Sequence, residues 1–399
     1  MSEAPARIAR GTRDYRATSA AMFSCGFSIF AILYCTQPIL PMLVQEFDVS
    51  PAESSLALSL TTIVMAVSML FASSLSEAVG RKPLMLAALL SSSLLTLALA
   101  FSTQWSHVLV LRSLAGVALS GMPAVALAYL AEEMDPKSVA PAVGLYIGGG
   151  AVGGMAGRLV AAALADYGSW RVAMAVIGAT GLVSGLVFWK ALAPSRHFTA
   201  RALSPLALIG TLGAHLRNLG VFLLVIEGFL LLGAFMVLFN YIGFRLQGAP
   251  FHLSQAAAGL VFLVYPIGSL GSAHMGSLAG RFGRGRMLVI TLTITMAGLA
   301  LMAPASLWSM VVGLVALTYG FFGAHAICSG WAPALAENDK AQSSSLYLLL
   351  YYTGGGVAGS IGGIFWSSHG WAGVIAFSGA LMFGALALAA MLWRFARVQ

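Results

Sequence analysis

The chain has 399 residues, 59% of them hydrophobic and only 9% charged, with a formal net charge of +8. Soluble domains carry about a quarter charged residues, so this composition excludes a water-solvated globule and makes lipid the solvent. The positive charge sits in short gaps between apolar runs rather than on a polar face, which speaks for membrane topology and against a nucleic-acid partner.

A bilayer crossing needs about 20 apolar residues. In chain order, such runs predict helices at 18–43, 54–75, 83–102, 106–131, 139–164 and 170–190, then at 218–244, 254–279, 287–304, 307–333, 343–366 and 371–393. The apolar run after Arg16 is far longer than a signal-peptide core of about 7–15 residues, so it reads as the first span. The long connection 191–217 carries Pro194, Arg196, Arg201 and Pro205. It reads as a linker, with a short surface helix expected at 203–212, between a bundle at 1–190 and a bundle at 218–399. An even number of spans puts both termini on one side. Arg7, Arg10, Arg13, Arg16, Arg81, Lys82, Arg284, Arg286 and most other cations fall on that side, with only Arg171 and Arg245 on the other. The positive-inside rule then makes the termini and the linker cytoplasmic. Cys25, Cys35 and Cys328 lie in apolar runs. Cys25 and Cys35 would stand roughly 15 Å apart on one helix, too far for a disulfide, and no metal-ligand spacing is present.

The chain repeats itself. Ser73–Lys82, SSLSEAVGRK, returns as GSLAGRFGRGR at Gly276–Arg286, an offset of 203. Tyr146–Gly157, YIGGGAVGGMAG, returns as YTGGGVAGSIGG at Tyr352–Gly363, an offset of 206. Two unrelated segments repeating at nearly one period indicate duplication of the whole half. Parallel repeats of six helices place a cavity near the midplane, and the glycine runs on spans five and eleven permit close helix approach.

The first repeated loop resembles the G-x-L-a-D-R-x-G-R-R/K loop of the major facilitator superfamily. Ser73 stands in the first Gly position, Glu77 in the acidic position, and Gly80, Arg81 and Lys82 close the motif. In the copy, Gly280 occupies the acidic position, so the resemblance implies a charged conformational latch (Glu77, Gly80, Arg81, Lys82) in the N-terminal half alone. Arg112–Gly116, RSLAG, is similar to the family's R-x-x-x-G motif. Gly149–Gly154 is similar to the G-P-x-x-G-G motif of its proton-driven antiporters, with Gly150 in place of Pro. YCTQP at Tyr34–Pro38 and GGMAGR at Gly153–Arg158 look most like bacterial permeases of the arabinose-efflux, drug:proton type. The resemblance implies an all-α integral membrane protein of twelve transmembrane helices in two pseudo-symmetric six-helix bundles.

An ionisable side chain inside a span costs about 2.5–3.5 kcal/mol on insertion scales, so each one asks for a reason. Arg112, Arg158 and Gln37 fall at one depth of their spans, and Asn240 is the counterpart of Gln37 at the 203 offset. Two readings stand. The guanidiniums and amides, with Tyr34 nearby, grip a polar or anionic substrate through forked hydrogen bonds; or the arginines tie down backbone carbonyls at the glycine-rich crossing or pair with Asp166 or Glu46. Glu227 on span seven and His325 on span ten lie at similar depths, and the resemblance makes both spans line the cavity. A carboxyl group in apolar surroundings is costly to ionise, which suits a reversible proton carrier, with the imidazole assisting; a purely structural hydrogen bond is the bland reading of each. Tyr265, Trp331, Tyr347 and Tyr351 either shape the cavity or mark the membrane interface.

The chain carries no nucleotide-binding loop, paired carboxylates or activated nucleophile, so an enzyme is not expected. The expectation is a monomeric proton-coupled exporter in a bacterial inner membrane, with a small organic molecule and protons as partners and neither cofactor nor metal. A symporter of an organic anion and a lipid flippase are the rivals.

Overall fold

The computed structural model of the chain describes residues 7–198, 213, 215–336 and 340–398. The linker helix expected at 203–212 lies outside them. Among the described residues eleven helical stretches are long and apolar enough to cross a membrane. The last of these, Gln342–Arg394, runs for 53 residues and breaks at Gly370, whose φ of 56° and ψ of −141° leave the helical region. It therefore supplies two crossings, and twelve result.

In chain order the helices are α1 (Arg13–Tyr34), α2 (Leu40–Phe47), α3 (Pro51–Val79), α4 (Arg81–Leu99), α5 (Trp105–Ser120), α6 (Pro123–Glu133), α7 (Pro136–Tyr167) and α8 (Trp170–Ala191). There follow α9 (Leu219–Gln247), α10 (Gln255–Gly259), a 3₁₀ turn at Leu260–Val264, α11 (Tyr265–Phe282), α12 (Arg284–Leu301), α13 (Leu307–Leu335) and α14 (Lys340–Val398). Small polar residues start several of them. Thr12, Asp135, Ser169, Asn218, Ser254 and Ser306 each accept a hydrogen bond from a backbone N–H of the first turn, satisfying donors that have no partner within the helix.

Three expected continuous spans are broken, each at a proline. Span one, expected to be whole over 18–43, ends at Tyr34 and restarts at Leu40, because Pro38 lacks an N–H and disfavours helical backbone at Gln37. Span four divides at Gly121–Met122, ahead of Pro123 at the start of α6. Span eight passes through the 3₁₀ turn ahead of Pro266, which takes a first-turn position of α11.

The chain divides into two compact units, Met1–Thr36 with Val67–Pro205 and Gln37–Ala66 with Leu206–Gln399, so that α3 belongs to both. In the first unit α1 packs along α7, and α4 against α8 and α5. A Cβ on Gly149 or Gly153 would strike the carbonyl oxygen of Phe23 or Phe27, and one on Gly157 would lie 2.6 Å from Ala31 Cα. Only glycine lets the two backbones come so close. In the second unit α9 packs along α14 in the same way. A Cβ on Gly354 would strike the Phe229 carbonyl, one on Gly233 would lie 3.0 Å from Ala358 Cβ, and one on Gly362 3.0 Å from Val237. At the middle contact the small residue changes sides: Gly153 faces Phe27 in one unit, and Gly233 faces Ala358 in the other.

These contacts also correct the register of the repeat. Phe23, Phe27 and Ala31 correspond to Phe229, Gly233 and Val237 at an offset of 206, while Gly149, Gly153 and Gly157 correspond to Gly354, Ala358 and Gly362 at 205. The glycine echo read at 206 is thus one residue out. In the register of α1 and α9 the counterpart of Asn240 is Tyr34, not Gln37.

Candidate functional site

In the first unit the candidate residues gather where α1 stops. The carbonyls of its last turn have no intrahelical donor, and Arg112 of α5 supplies one. Its guanidinium donates from Nη1 to the Ile32 oxygen at 3.1 Å and from Nη2 to the Leu33 oxygen at 2.7 Å. The side chain is 1% exposed, and its charge sits at the negative end of the α1 dipole. Arg158 of α7, also fully buried, donates from Nη1 to the Gly154 carbonyl at 2.7 Å and lies 3.9 Å over the Tyr34 ring. Both guanidiniums thus donate to backbone carbonyls in this conformation.

In the second unit Gln37 donates from Nε2 to Asn240 Oδ1 at 2.8 Å, and both amides are 2% exposed. Beside them Gln255 donates to the Pro38 carbonyl at 2.7 Å and Tyr241 to the Gly359 carbonyl at 2.9 Å. Side-chain hydrogen bonds thus pin the segment that follows the break in span one to α9 and α10.

Deeper in the same unit, Glu227 of α9 is wholly buried, and neither carboxyl oxygen has a hydrogen-bond partner among the described residues. His325 of α13 does not bond it. Its Nδ1 lies 3.0 Å from Tyr347 Oη of α14, and its ring stacks 4.3 Å from that of Tyr351. Tyr347 and Tyr351, one turn apart on one helix face, are thus the neighbours of His325. From His325 a chain of rings (Phe321, Phe235, Phe239, Tyr265) continues through the unit.

The repeated loop folds alike in both copies. Gly80 and Gly283 take φ of 97° and 91°, a region costly for any residue with a Cβ, and each opens the next helix. Arg81 finds its ion-pair partner on another helix. The guanidinium forks onto Glu132 of α6, Nε to Oε2 at 3.2 Å and Nη2 to Oε1 at 2.8 Å, and also donates to Ser76 Oγ. Glu77 is half-buried without a hydrogen bond to Arg81. Lys82 donates to the Leu192 carbonyl at 2.5 Å. Glu132 went unmarked in the sequence because a carboxylate at a span end reads as ordinary headgroup-level charge.

No group of three or more His, Cys, Asp or Glu side chains able to hold a metal occurs among the described residues.

Comparison with known proteins agrees with this architecture. The family model described as Major Facilitator Superfamily matches residues 22–250. The chain is 44% identical over 387 residues to the inner membrane transport protein YnfM of Escherichia coli (strain K12), covering 97% of this chain and 93% of that one. It is 44% identical over 368 residues to the MFS-type transporter YybF of Bacillus subtilis (strain 168), covering 92% and 91%. The crystal structure of a D-xylose-proton symporter superposes with a TM-score of 0.76 at 13% identity, over 95% of this chain and 97% of that one. Twelve apolar crossings in a duplicated chain, matched by that family model and by two relatives over nearly their full length, show that this chain belongs to the Major Facilitator Superfamily and is a multi-pass secondary transporter rather than an enzyme.

Proposed function

We propose that the chain exports a small organic molecule from the cytoplasm in exchange for protons, by alternating access, in a bacterial inner membrane with both termini cytoplasmic. The observation that carries the proton coupling is Glu227. Its carboxyl group is fully buried and has no hydrogen-bond partner among the described residues. An ion there costs several kcal/mol, so the group is held as the neutral acid in this conformation. A second conformation that admits water or a cationic cargo would release the proton, and the two together constitute a coupling cycle. The location draws support from the relative named an inner membrane transport protein and from the side to which the cations fall. The antiporter subtype draws support from the glycine crossing of α1 and α7.

Import of an organic anion by symport is the second reading. It is favoured by two buried guanidiniums, Arg112 and Arg158, gathered with Tyr34 at the end of α1. In that reading the cargo takes the place of the two carbonyls that Arg112 holds in this conformation. The latch role of Glu77, Gly80, Arg81 and Lys82 belongs to both readings.

The experiment is purified protein in liposomes with an imposed pH gradient and a panel of cationic, neutral and anionic organic probes. Antiport predicts that a probe moves against the proton flow and that Glu227→Gln abolishes its pH-driven flux. Accumulation of an anion along the proton flow would decide for symport. Unchanged pH-driven flux in Glu227→Gln removes Glu227 from the mechanism.

A further inference from the structure

The start of the linker lies against the first unit instead of leaving it at the end of α8. Lys82 donates to the Leu192 carbonyl, and the Tyr129 phenol of α6 donates to the Ala193 carbonyl at 2.8 Å. The Phe198 ring lies 5.5 Å from the Arg81 guanidinium carbon. Between these contacts His197 meets both oxygens of one carboxylate. Its backbone N–H donates to Glu133 Oε1 at 2.8 Å, and its ring Nδ1 lies 3.0 Å from Glu133 Oε2. The Glu133 side chain is 2% exposed and that of His197 19%. A third segment joins them. The Glu133 carbonyl accepts from the Ile8 N–H at 2.9 Å, and the Asp135 N–H donates to the Ile8 carbonyl at 3.0 Å.

Glu133 is the last residue of α6 and directly follows Glu132. The negative end of a helix disfavours carboxylates, and a buried one is strongly disfavoured without a counter-charge. Arg81 forks onto Glu132; the imidazole of His197 is placed to do the same for Glu133 when it carries a proton. The other charged or titratable groups around the pair are Arg81 and Lys82 of α4, Tyr129 and Glu132 of α6, Asp135 and Lys137 at the start of α7, Arg10 of the N-terminal segment, Arg196 of the linker and Asp14 of α1. Among these residue types imidazole is the one whose charge ordinarily changes near neutral pH.

We propose that Glu133 and His197 form a pH-responsive clasp that docks the start of the linker on the first unit. An ionised carboxylate only accepts, so Nδ1 carries the proton in the neutral ring. A second proton, taken from water onto Nε2, makes the donor an imidazolium and the contact a charge-assisted ion pair. The clasp is therefore tightest below the imidazole's titration, ordinarily about pH 6.5, and falls back to neutral hydrogen bonds as the pH rises through it. A closed clasp holds the residues from Leu192 to Phe198 on the first unit; an open one returns them to the tether that joins the two bundles. Glu133 and His197 are thus positioning residues of the transporter, and neither need touch cargo.

The test uses the purified full-length protein with a nitroxide label at Arg196→Cys, an exposed position beside the clasp. The native Cys25, Cys35 and Cys328 are buried, and the parent chain treated alike supplies the background. The expected result is a ratio of mobile to immobile label that rises about fivefold from about pH 5.5 to about pH 8. In the same labelled background His197→Arg, a permanent cation, should hold the label immobile at both ends of the range. His197→Asn, a neutral donor, and Glu133→Gln, a neutral acceptor, should each give a ratio that ignores pH. A labelled protein whose ratio does not change with pH overturns the clasp, and so does a response that survives in His197→Asn or Glu133→Gln. Should Glu133→Gln fail to fold, the two substitutions at His197, a part-exposed linker residue, carry the test.

Discussion

Arg112 makes two charge-assisted hydrogen bonds that only a planar fork can make together. Arg112→Lys loses one of the two and leaves a carbonyl of α1 unsatisfied, so thermal unfolding of the purified protein should report a loss of roughly 1–3 kcal/mol. Stability equal to that of the parent, together with lost transport, would assign Arg112 to the cargo rather than to the helix end. Gln37 and Asn240 invite a double-mutant cycle. Their bond is buried, direct and neutral, so alanine at each position should couple by about 0.5–1.5 kcal/mol; additive losses would mean that the pair is not energetically linked.

At the scale of elements, the α1–α7 crossing rests on backbone contact. Gly153→Val puts a branched side chain onto the Phe27 carbonyl, and overpacking of this kind costs about 1–3 kcal/mol or more. The yield of folded protein in detergent, read by size-exclusion chromatography, should collapse, whereas Gly148→Val, where a Cβ meets nothing within 4 Å, should be tolerated. The fork between Arg81 and Glu132 joins the repeated loop to α6. Glu132→Ala should destabilise the first unit, and the exchanged pair Arg81→Glu with Glu132→Arg should restore part of the loss. No recovery would mean that Arg81 acts chiefly through Ser76 and the Phe198 ring, which lies 5.5 Å from the guanidinium carbon.

For the whole molecule, topology is the measurable quantity. With both termini proposed on the cytoplasmic side, a fluorescent protein fused after Gln399 should fluoresce and a periplasm-dependent phosphatase at the same site should be inactive; the opposite result would invert the orientation of every span. Composition, span count and duplication were legible in the residues because a bilayer imposes one length and one polarity on every crossing. Glu227 was equally legible as a polar side chain with no place in lipid. The break in span one was written in Pro38, yet a proline bends, breaks or is absorbed by a helix according to what its neighbours offer the freed carbonyls. Here Arg112, from another helix, meets the Ile32 and Leu33 carbonyls at the helix end. The partner of Arg81 and the phenol that meets His325 were undetectable for the same reason. Hydrogen-bond geometry is set over distances of about 3 Å, by residues that lie 51 and 22 positions apart in the chain. Sequence by itself determined that the protein spans a membrane twelve times in two related halves, because hydrophobic length and repetition are local properties of the chain. Tertiary structure alone decided which helix faces meet, by which residue the repeat is shifted and which donor each buried acceptor receives, because these follow from how closely the backbones approach.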